Sequence, residues 1–393
     1  MNYCALVCEY NPLHNGHLYQ MRRIKEITGC NRIICIMSGD FVQRAEPAII
    51  NKVSRAKCAL ECGADMVVEL PVVYAVGNGA VFAQGAVKAI DMLPDVTHIA
   101  MGCETDNVEL IEKLAEIQAQ ESDGFKNILY DLLEKGLSYP SGYTEATAQI
   151  AEKSGLDGIM SRMVLSKPNN ILCIEYIKAL KKLKSSIKPV LIPRKASGIY
   201  CEENTEIVSS SEIRSRLSSG ALPDIKLSVP PMTLKALETR RFPDKKTYSD
   251  IVMYVLRNAS IRQLSHLCEV GEGLEYSIAK QANATCDLDE FLVRLKSKRY
   301  TLSRLKRICL QAVLNIDKSL MSGITLPYYR ILAIKTDFKD YLASLSENFY
   351  VQISKAQDKS REIFCELEKK STLLYSLIVH DPDYKYPSAL VTL

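Results

Sequence analysis

The stretch Tyr3-Cys4-Ala5-Leu6-Val7-Cys8-Glu9-Tyr10-Asn11-Pro12-Leu13-His14-Asn15-Gly16-His17 decides how the rest of the chain is read. Its first six residues are a short apolar run with the length of a buried strand. A loop holding a proline and a glycine follows, and residues 18–28 then carry apolar positions at helical spacing. Strand, loop and helix in this order open a parallel sheet, and the loop after the first strand lies at the carboxyl edge, where such folds bind ligands. His14 and His17, two of only five histidines, stand three residues apart in that loop. Gly16 lets a phosphate approach the backbone, and the following helix N-terminus favours an anion. Two imidazoles on that turn can stabilise charge developing on an α-phosphate and a leaving pyrophosphate. A metal pair or an incidental loop is the alternative for H-x-x-H by itself.

Outward from this segment the same alternation continues. Strands are expected at residues 3–8, 32–37, 66–70, 97–101 and 189–192, with helices at 18–28, 51–62, 79–92 and 108–118 between them. The expected fold is α/β, a Rossmann-like parallel sheet with helices on both faces, followed by a mostly helical C-terminal domain. The texture changes near residue 223, where Leu222-Pro223-Asp224 to Val229-Pro230-Pro231 reads as a linker. Beyond it, residues 249–257, 273–281, 288–298, 303–314 and 362–378 carry helical periodicity. Two domains are expected, 1–222 and 223–393.

Composition bounds the answer. A chain of 393 residues that is 47 % hydrophobic and 24 % charged excludes disorder, collagen and coiled coil. No apolar run reaches a membrane span, and the N-terminus lacks a basic n-region and cleavage site, so a cytoplasmic protein without membrane contact is expected. The thirteen cysteines show no C-x-x-C spacing and read as small buried hydrophobes, with no resident metal expected. The net charge of +4 divides into −2 for residues 1–222 and +6 for residues 223–393. Lys296, Lys298, Arg299, Arg304, Lys306 and Arg307 fall within twelve positions that hold no acid. Such a face suits several phosphate contacts; a solvated helix face is the plain alternative.

A second segment, Ser209-Ser210-Ser211-Glu212-Ile213-Arg214, begins a short helix. Serines at an N-cap expose hydroxyls and N–H groups, and Arg214 on the first turn can clamp a phosphate, although alone the pattern is an ordinary cap.

H-x-G-H after strand one, with a serine-rich I-R segment at the end of the α/β region, resembles the nucleotidyltransferase superfamily. The order of blocks narrows the likeness. Glu9 to His17 is followed by Ser38-Gly39-Asp40-Phe41-Val42-Gln43-Arg44-Ala45-Glu46-Pro47-Ala48. Gly63-Ala64-Asp65-Met66-Val67-Val68-Glu69-Leu70-Pro71, Gly102-Cys103-Glu104 and Pro168-Asn169-Asn170-Ile171-Leu172 come next. This series resembles the bacterial tRNA(Met) cytidine acetate ligase family across most of residues 1–217, and residues 298–307 are similar to its C-terminal helical domain.

The resemblance implies activation of acetate by ATP, with Mg²⁺, to acetyl-adenylate, then acetylation of N4 of the wobble cytidine of elongator tRNA(Met). No protein partner is implied. It places ATP at Val7, Cys8, Glu9, Tyr10, Asn11, Pro12, His14, Asn15, Gly16, His17, Gln20, Gly102, Asn169, Arg194 and Ser211, with His14, His17 and Arg214 as catalytic groups. Asp40, Gln43 and Arg44 become candidates for the acetate or cytidine pocket, and the six basic residues of 296–307 for tRNA. Departures are Ala45 for a common glycine, Cys103 for a common serine, Asp40 for a common asparagine, and S-S-S-E-I-R for the commoner phosphate segment.

The chemistry is consistent with this. Acetate is already ionised and needs positioning and charge stabilisation rather than a strong base. Nothing in the sequence names a base for the cytidine amine. Plain alternatives accompany several residues: a turn held by Arg44–Glu46, surface solvation for Lys52, Arg55 and Lys57, and N-capping for Asn169. His98, His266 and His380 are isolated. Two other functions stay open at this point: an adenylyltransferase acting on a small phosphorylated substrate, and a non-catalytic tRNA-binding protein that retains ATP.

Overall fold

β1 (Tyr3–Cys8) sends alternate side chains to opposite faces: Tyr3 and Ala5 join one apolar cluster, while Cys4, Leu6 and Cys8 join another. A strand buried on both faces needs helices on both sides of its sheet. The computed structural model supplies them; it describes residues 1–194, 199–201, 205–219, 225–239, 241–324, 328–351, 359–385 and 390–393. β2 (Arg32–Ser38), β3 (Met66–Leu70), β4 (Val96–Cys103) and β5 (Lys188–Pro193) lie parallel to β1 in the order β3-β2-β1-β4-β5. The order reverses at β1, which pairs with β2 on one side and β4 on the other. The crevice beyond the carboxyl ends of such a pair is where an open α/β sheet binds its ligand. β6 (Ile199–Cys201) and β7 (Thr205–Ile207) form a separate hairpin.

The expected helical domain over 223–393 is corrected in one respect. A separate helical core does exist, built by residues such as Val252, Leu256, Leu264, Phe291, Leu305 and Ile308. From Tyr328 onward, however, the chain returns to the first sheet. β8 (Tyr329–Ile334) pairs antiparallel with β3, and β9 (Phe349–Tyr350) and β10 (Val391–Thr392) both pair with β8. The helix Lys359–Ile378 packs Phe364, Cys365, Leu374 and Tyr375 into the sheet's own core. All six residues of β8 are buried, so no alternation marks it as a strand in a helix-rich context.

The stretch read as a linker is also corrected. Residues 221–224 lie outside the described residues, but Ile225 and Val229 are buried against Ile50, Val208, Ile213 and Leu237. The carbonyl of Leu227 accepts from Asn15 Nδ2 at 2.7 Å and that of Ser228 from Asn15 N at 3.1 Å. This segment braces the loop after β1.

Lys52 and Arg55 are buried rather than solvated; Lys57 is exposed as expected. Lys52 Nζ lies 2.6 Å from Glu69, 3.5 Å from Asp40 and 3.8 Å from Glu368, since a buried charge requires partners. Arg55 donates to the carbonyls of Glu9, Ser38, Gly39 and Ile50, tying the carboxyl ends of β1 and β2 together. A Cβ on Gly39 would sit 2.5 Å from Glu69 Oε1, so any larger residue here must displace the carboxylate that pairs with Lys52. Of the twelve cysteines whose side chains are described all are unpaired, and the nine that are buried act as small apolar side chains. Among the described residues no helix is long and apolar enough to cross a membrane.

Candidate active site

A cavity of about 720 Å³ opens beyond the carboxyl ends of β1, β4 and β5. The loop after β2, the helix Pro168–Leu183 and the start of the helix Ser210–Ser218 close its sides. Tyr10 takes a positive φ of 47°, a left-handed turn that costs a non-glycine residue roughly 1–2 kcal/mol and swings the chain out of β1. Asn11 is followed by a cis proline, and the helix Asn15–Thr28 then begins.

The two histidines cap that helix. Nδ1 of His14, the N-cap residue, accepts from Gly16 N–H at 3.1 Å, and Nδ1 of His17 accepts from His14 N–H at 3.2 Å. Histidines here take the reciprocal roles that Ser/Thr and Glu fill in the usual capping box. Burial lowers the His14 pKa to about 3, with the Arg194 charge adding to the effect. Burial also drives His17 well below its ordinary value, helped by His14 and Arg194. Both rings are therefore neutral, and because Nδ1 accepts, each proton resides on Nε2. The ring centroids are 3.8 Å apart, and His14 Nε2 is buried without a hydrogen-bond partner among the described residues. Two N–H donors side by side on a helix N-terminus form an anion site. A Cβ on Gly16 would lie 2.9 Å from His14 Cε1, so the glycine in H-x-G-H leaves room for the first imidazole.

The second segment meets the first across the cavity. Ser209 caps its helix, with the hydroxyl accepting from Glu212 N–H, and Ser209, Ser210 and Ser211 all line the space. Arg214 Nη1 donates to the Asn11 carbonyl at 2.7 Å and Nη2 to Ser211 Oγ at 3.3 Å. Burial lowers the Arg214 pKa against the pull of Glu46 and Glu9, yet a guanidinium keeps its charge. Gly102, Gln20 and Arg194 also line the cavity and lie together, a Cβ on Gly102 meeting Arg194 at 3.5 Å and Gln20 Nε2 at 3.6 Å. Asn169 is held by Glu104, which accepts from its N–H at 3.1 Å and from Nδ2 at 2.9 Å.

Most of the expected residues thus converge. Val7, Cys8, Glu9, Tyr10, Asn11, His14, Gly16, His17, Gln20, Gly102, Asn169, Arg194, Ser211 and Arg214 line the cavity, as do Gln43 and Arg44. Pro12 and Asn15 do not; Asn15 Nδ2 is engaged by the carbonyls of Glu206 and Leu227. Asp40 is corrected too. Its carboxylate is fully buried, accepting from Tyr384 at 2.7 Å, Thr372 at 3.1 Å and Lys52 N–H at 3.1 Å, so it anchors the loop instead of facing the cavity. Arg44 is exposed, and Glu46 pairs with Lys306 at 2.5 Å rather than with Arg44. Ala45 has φ 56°, the backbone conformation that explains why glycine suits this position.

The basic cluster is partly neutralised. The helix Leu288–Leu295 ends before it, so residues 296–301 form a loop leading to the helix Leu302–Leu314. Arg307 is buried in a two-pronged pair with Glu269 at 2.6 Å, and Arg304 donates to the Glu269 carbonyl at 2.8 and 3.1 Å. Arg299 pairs with Glu272 at the surface. Lys296 and Lys298 are exposed, with no ion-pair partner among the described residues. Sequence reasoning missed Phe82, Leu172, Tyr176 and Glu104 as cavity residues. Leu172 and Tyr176 recur at helical spacing and look like core, whereas Glu104 stood in a quoted block with no role attached. Among the described residues no three His, Cys, Asp or Glu side chains cluster as a metal cage.

Residues 1–387 match the family described as HIGH Nucleotidyl Transferase, so the chain is a nucleotidyltransferase of the HIGH type. It is 36 % identical over 386 residues to the tRNA(Met) cytidine acetate ligase of Clostridium perfringens (strain SM101 / Type A), covering 96 % of each chain. It is 37 % identical over 372 residues to the protein of the same name from Caldanaerobacter subterraneus subsp. tengcongensis, covering 92 % of this chain and 90 % of that one. The crystal structure of Thermotoga maritima TmcAL bound with alpha-thio ATP superposes over 100 % of both chains, with a TM-score of 0.90 at 26 % identity. The chain belongs to the tRNA(Met) cytidine acetate ligase family.

Proposed function

We propose that this enzyme uses ATP to convert acetate to acetyl-adenylate and passes the acetyl group to N4 of the wobble cytidine of elongator tRNA(Met). The observation that carries the reading is the pair of neutral Nε2–H donors at the switch point of the sheet, faced by Arg214, in a chain whose named relatives align over nearly its whole length. The α-phosphate takes up negative charge as the acetate oxygen attacks and pyrophosphate leaves. His14, His17 and the N-terminus of the helix Ser210–Ser218 donate to that charge, the dipole of the helix Asn15–Thr28 favours it, and Arg214 neutralises the departing phosphates. Gly102, Asn169 and Arg194 stand on the wall that would receive the nucleoside. We assign acetate to Gln43 and Arg44, which line the cavity on the loop after β2. Magnesium enters as the ATP–Mg²⁺ complex, carried on the phosphate oxygens of the substrate.

For the tRNA, Lys296 and Lys298 are the open phosphate contacts, with Arg299 available because an exposed ion pair is weak. Arg304 and Arg307 hold the helical unit together, and Lys306 joins it to Glu46 at the cavity mouth. That junction supports a division of labour in which residues 1–222 handle ATP and the helical unit presents the anticodon. A cytoplasmic location fits the substrates. The test is incubation with ATP, labelled acetate and elongator tRNA(Met), followed by digestion to nucleosides. Label in N4-acetylcytidine is expected. ATP–pyrophosphate exchange that needs no acetate would point instead to an adenylyltransferase, and no turnover at all would refute catalysis.

A further inference from the structure

We propose that the carboxylate of Glu9 is the general base that takes the proton from cytidine N4 during acetyl transfer, an assignment that rests on the ligase reading above. The exocyclic amine shares its lone pair with the pyrimidine ring, so it is a poor nucleophile until its proton has somewhere to go. As N4 forms its bond to the acyl carbon, the bond from that carbon to the phosphate oxygen breaks. Adenylate leaves with the electron pair, and one N4 proton must be accepted. The leaving phosphate is stable as an anion and needs no acid, so the step lacks only a base.

The cavity holds few groups able to act. His14 and His17 are excluded by their hydrogen bonds: each accepts at Nδ1 and carries its proton on Nε2, leaving a donor rather than an acceptor toward the substrate. Three carboxylates line the space: Glu9, Glu46 and Glu104. Glu46 is bound to Lys306, and both oxygens of Glu104 are engaged by Asn169. Glu9 stands at the carboxyl end of β1, directly before the histidine loop. Its Oε1 accepts from Gln43 N–H at 2.8 Å, and Oε2 has no hydrogen-bond partner among the described residues. The same contact joins Glu9 to the loop that carries Arg44, and Arg55 holds the Glu9 carbonyl, so the side chain is fixed from both ends.

Its surroundings suit the task. Burial raises the Glu9 pKa above the ordinary carboxyl value. The Gln43 N–H and the charges of Arg55, Arg214 and Arg44, each on a different element, keep the ionised form accessible. Tyr176, from the helix Pro168–Leu183, is the other titratable group that senses the Glu9 charge. A carboxylate in a cavity for polyphosphate otherwise works against the ligand, and a role in the second step accounts for it.

The transfer step is isolated by supplying synthetic acetyl-adenylate and elongator tRNA(Met) to the full-length protein, so that adenylation by the variants does not enter. Glu9→Gln should lower the single-turnover transfer rate by about 10²–10⁴-fold, the range for loss of a positioned base. The unchanged protein should lose rate about tenfold per pH unit on the acid side, and Glu9→Gln should lose that limb. Glu9→Asp, which keeps a carboxylate one methylene short, should retain the limb at a reduced rate. Transfer by Glu9→Gln within about threefold of the unchanged protein, or with the acid limb intact, overturns the assignment; so does an acid limb missing from Glu9→Asp. A carboxylate that served only the magnesium of ATP would give that first result. If the unchanged protein transfers nothing from acetyl-adenylate, the ligase reading itself fails, and this assignment with it.

Discussion

His17→Asn separates the two roles of the second histidine. The asparagine carbonyl oxygen lies near the place of Nδ1 and can accept the His14 N–H that His17 now accepts at 3.2 Å, so the helix cap survives. The cost in stability should stay below about 1 kcal/mol, the usual worth of a cap contact. What disappears is the Nε2–H donor. Loss of one preorganised donor to a developing oxyanion lowers turnover by about 10²–10³-fold, or ~2.7–4 kcal/mol. Acetate-dependent ATP–pyrophosphate exchange should fall by that factor, and His17→Gln, which restores an N–H near the Nε2 position, should recover part of it. The pH dependence adds a second constraint. A histidine whose pKa is lowered loses its neutral form only as pH falls through that lowered value, which for His14 is about 3. With His17 lowered as well, kcat/KM for exchange at low ATP should show no imidazole limb between about pH 5.5 and 8.5. Exchange by His17→Asn within about fivefold of the unchanged protein would refute the donor role. An acid limb near the ordinary histidine pKa that His17→Asn removes would show the ring shuttling a proton instead.

Four further outcomes follow from buried and exposed charge. Lys52→Met leaves the carboxylates of Glu69 and Asp40 without their cation, so urea unfolding near pH 7.5 should register a loss of ~3–5 kcal/mol; Lys57→Met, on the exposed face of the same helix, should change stability by less than about 0.5 kcal/mol. Burial and the neighbouring Glu69 hold the Glu368 carboxyl well above its ordinary 4.5, against the pull of Lys52. The folded protein then binds the extra proton, and stability declines as pH rises from 4.5 through the raised value. Glu368→Gln should therefore show a urea midpoint advantage that grows from acid to alkaline pH, and an equal difference at both ends would contradict it. Lys296→Glu with Lys298→Glu should reduce the salt slope of tRNA binding by about two while exchange persists. Arg307→Ala should instead lower the unfolding midpoint, because its partner Glu269 is left nearly buried and unpaired.

The sequence revealed those parts of the fold whose signals are local. β3 was placed correctly because Gly63 and Pro71 bracket a β-branched run, and the histidine loop because strand, loop and helix adjoin in the chain. β8 was missed because a strand buried on both faces shows no alternation, and because its pairing partner belongs to the far end of the sequence. Lys52 and Arg55 were misread for a related reason. A charged residue near a helix start looks solvated unless the distant groups that surround it, such as Glu368, are known. Within the site, His14, His17 and Arg214 carried recognisable chemistry, whereas the exclusion of Asp40 depended on Thr372 and Tyr384 more than three hundred residues later.

The attachment of β8 to β3 bears on how the chain is made. β3 emerges early in synthesis with one row of backbone groups unpaired, and the strand that covers it begins about 260 residues later. At ~5–20 residues per second that interval lasts roughly 13–50 s. During it, Met66–Leu70 is an apolar open edge of the kind that recruits other strands, from the same nascent chain or from a neighbour on the same message. A chain that stops after the helical unit would keep this edge permanently, so shortened versions should accumulate in aggregates even though every histidine and arginine of the ATP cavity has already been translated.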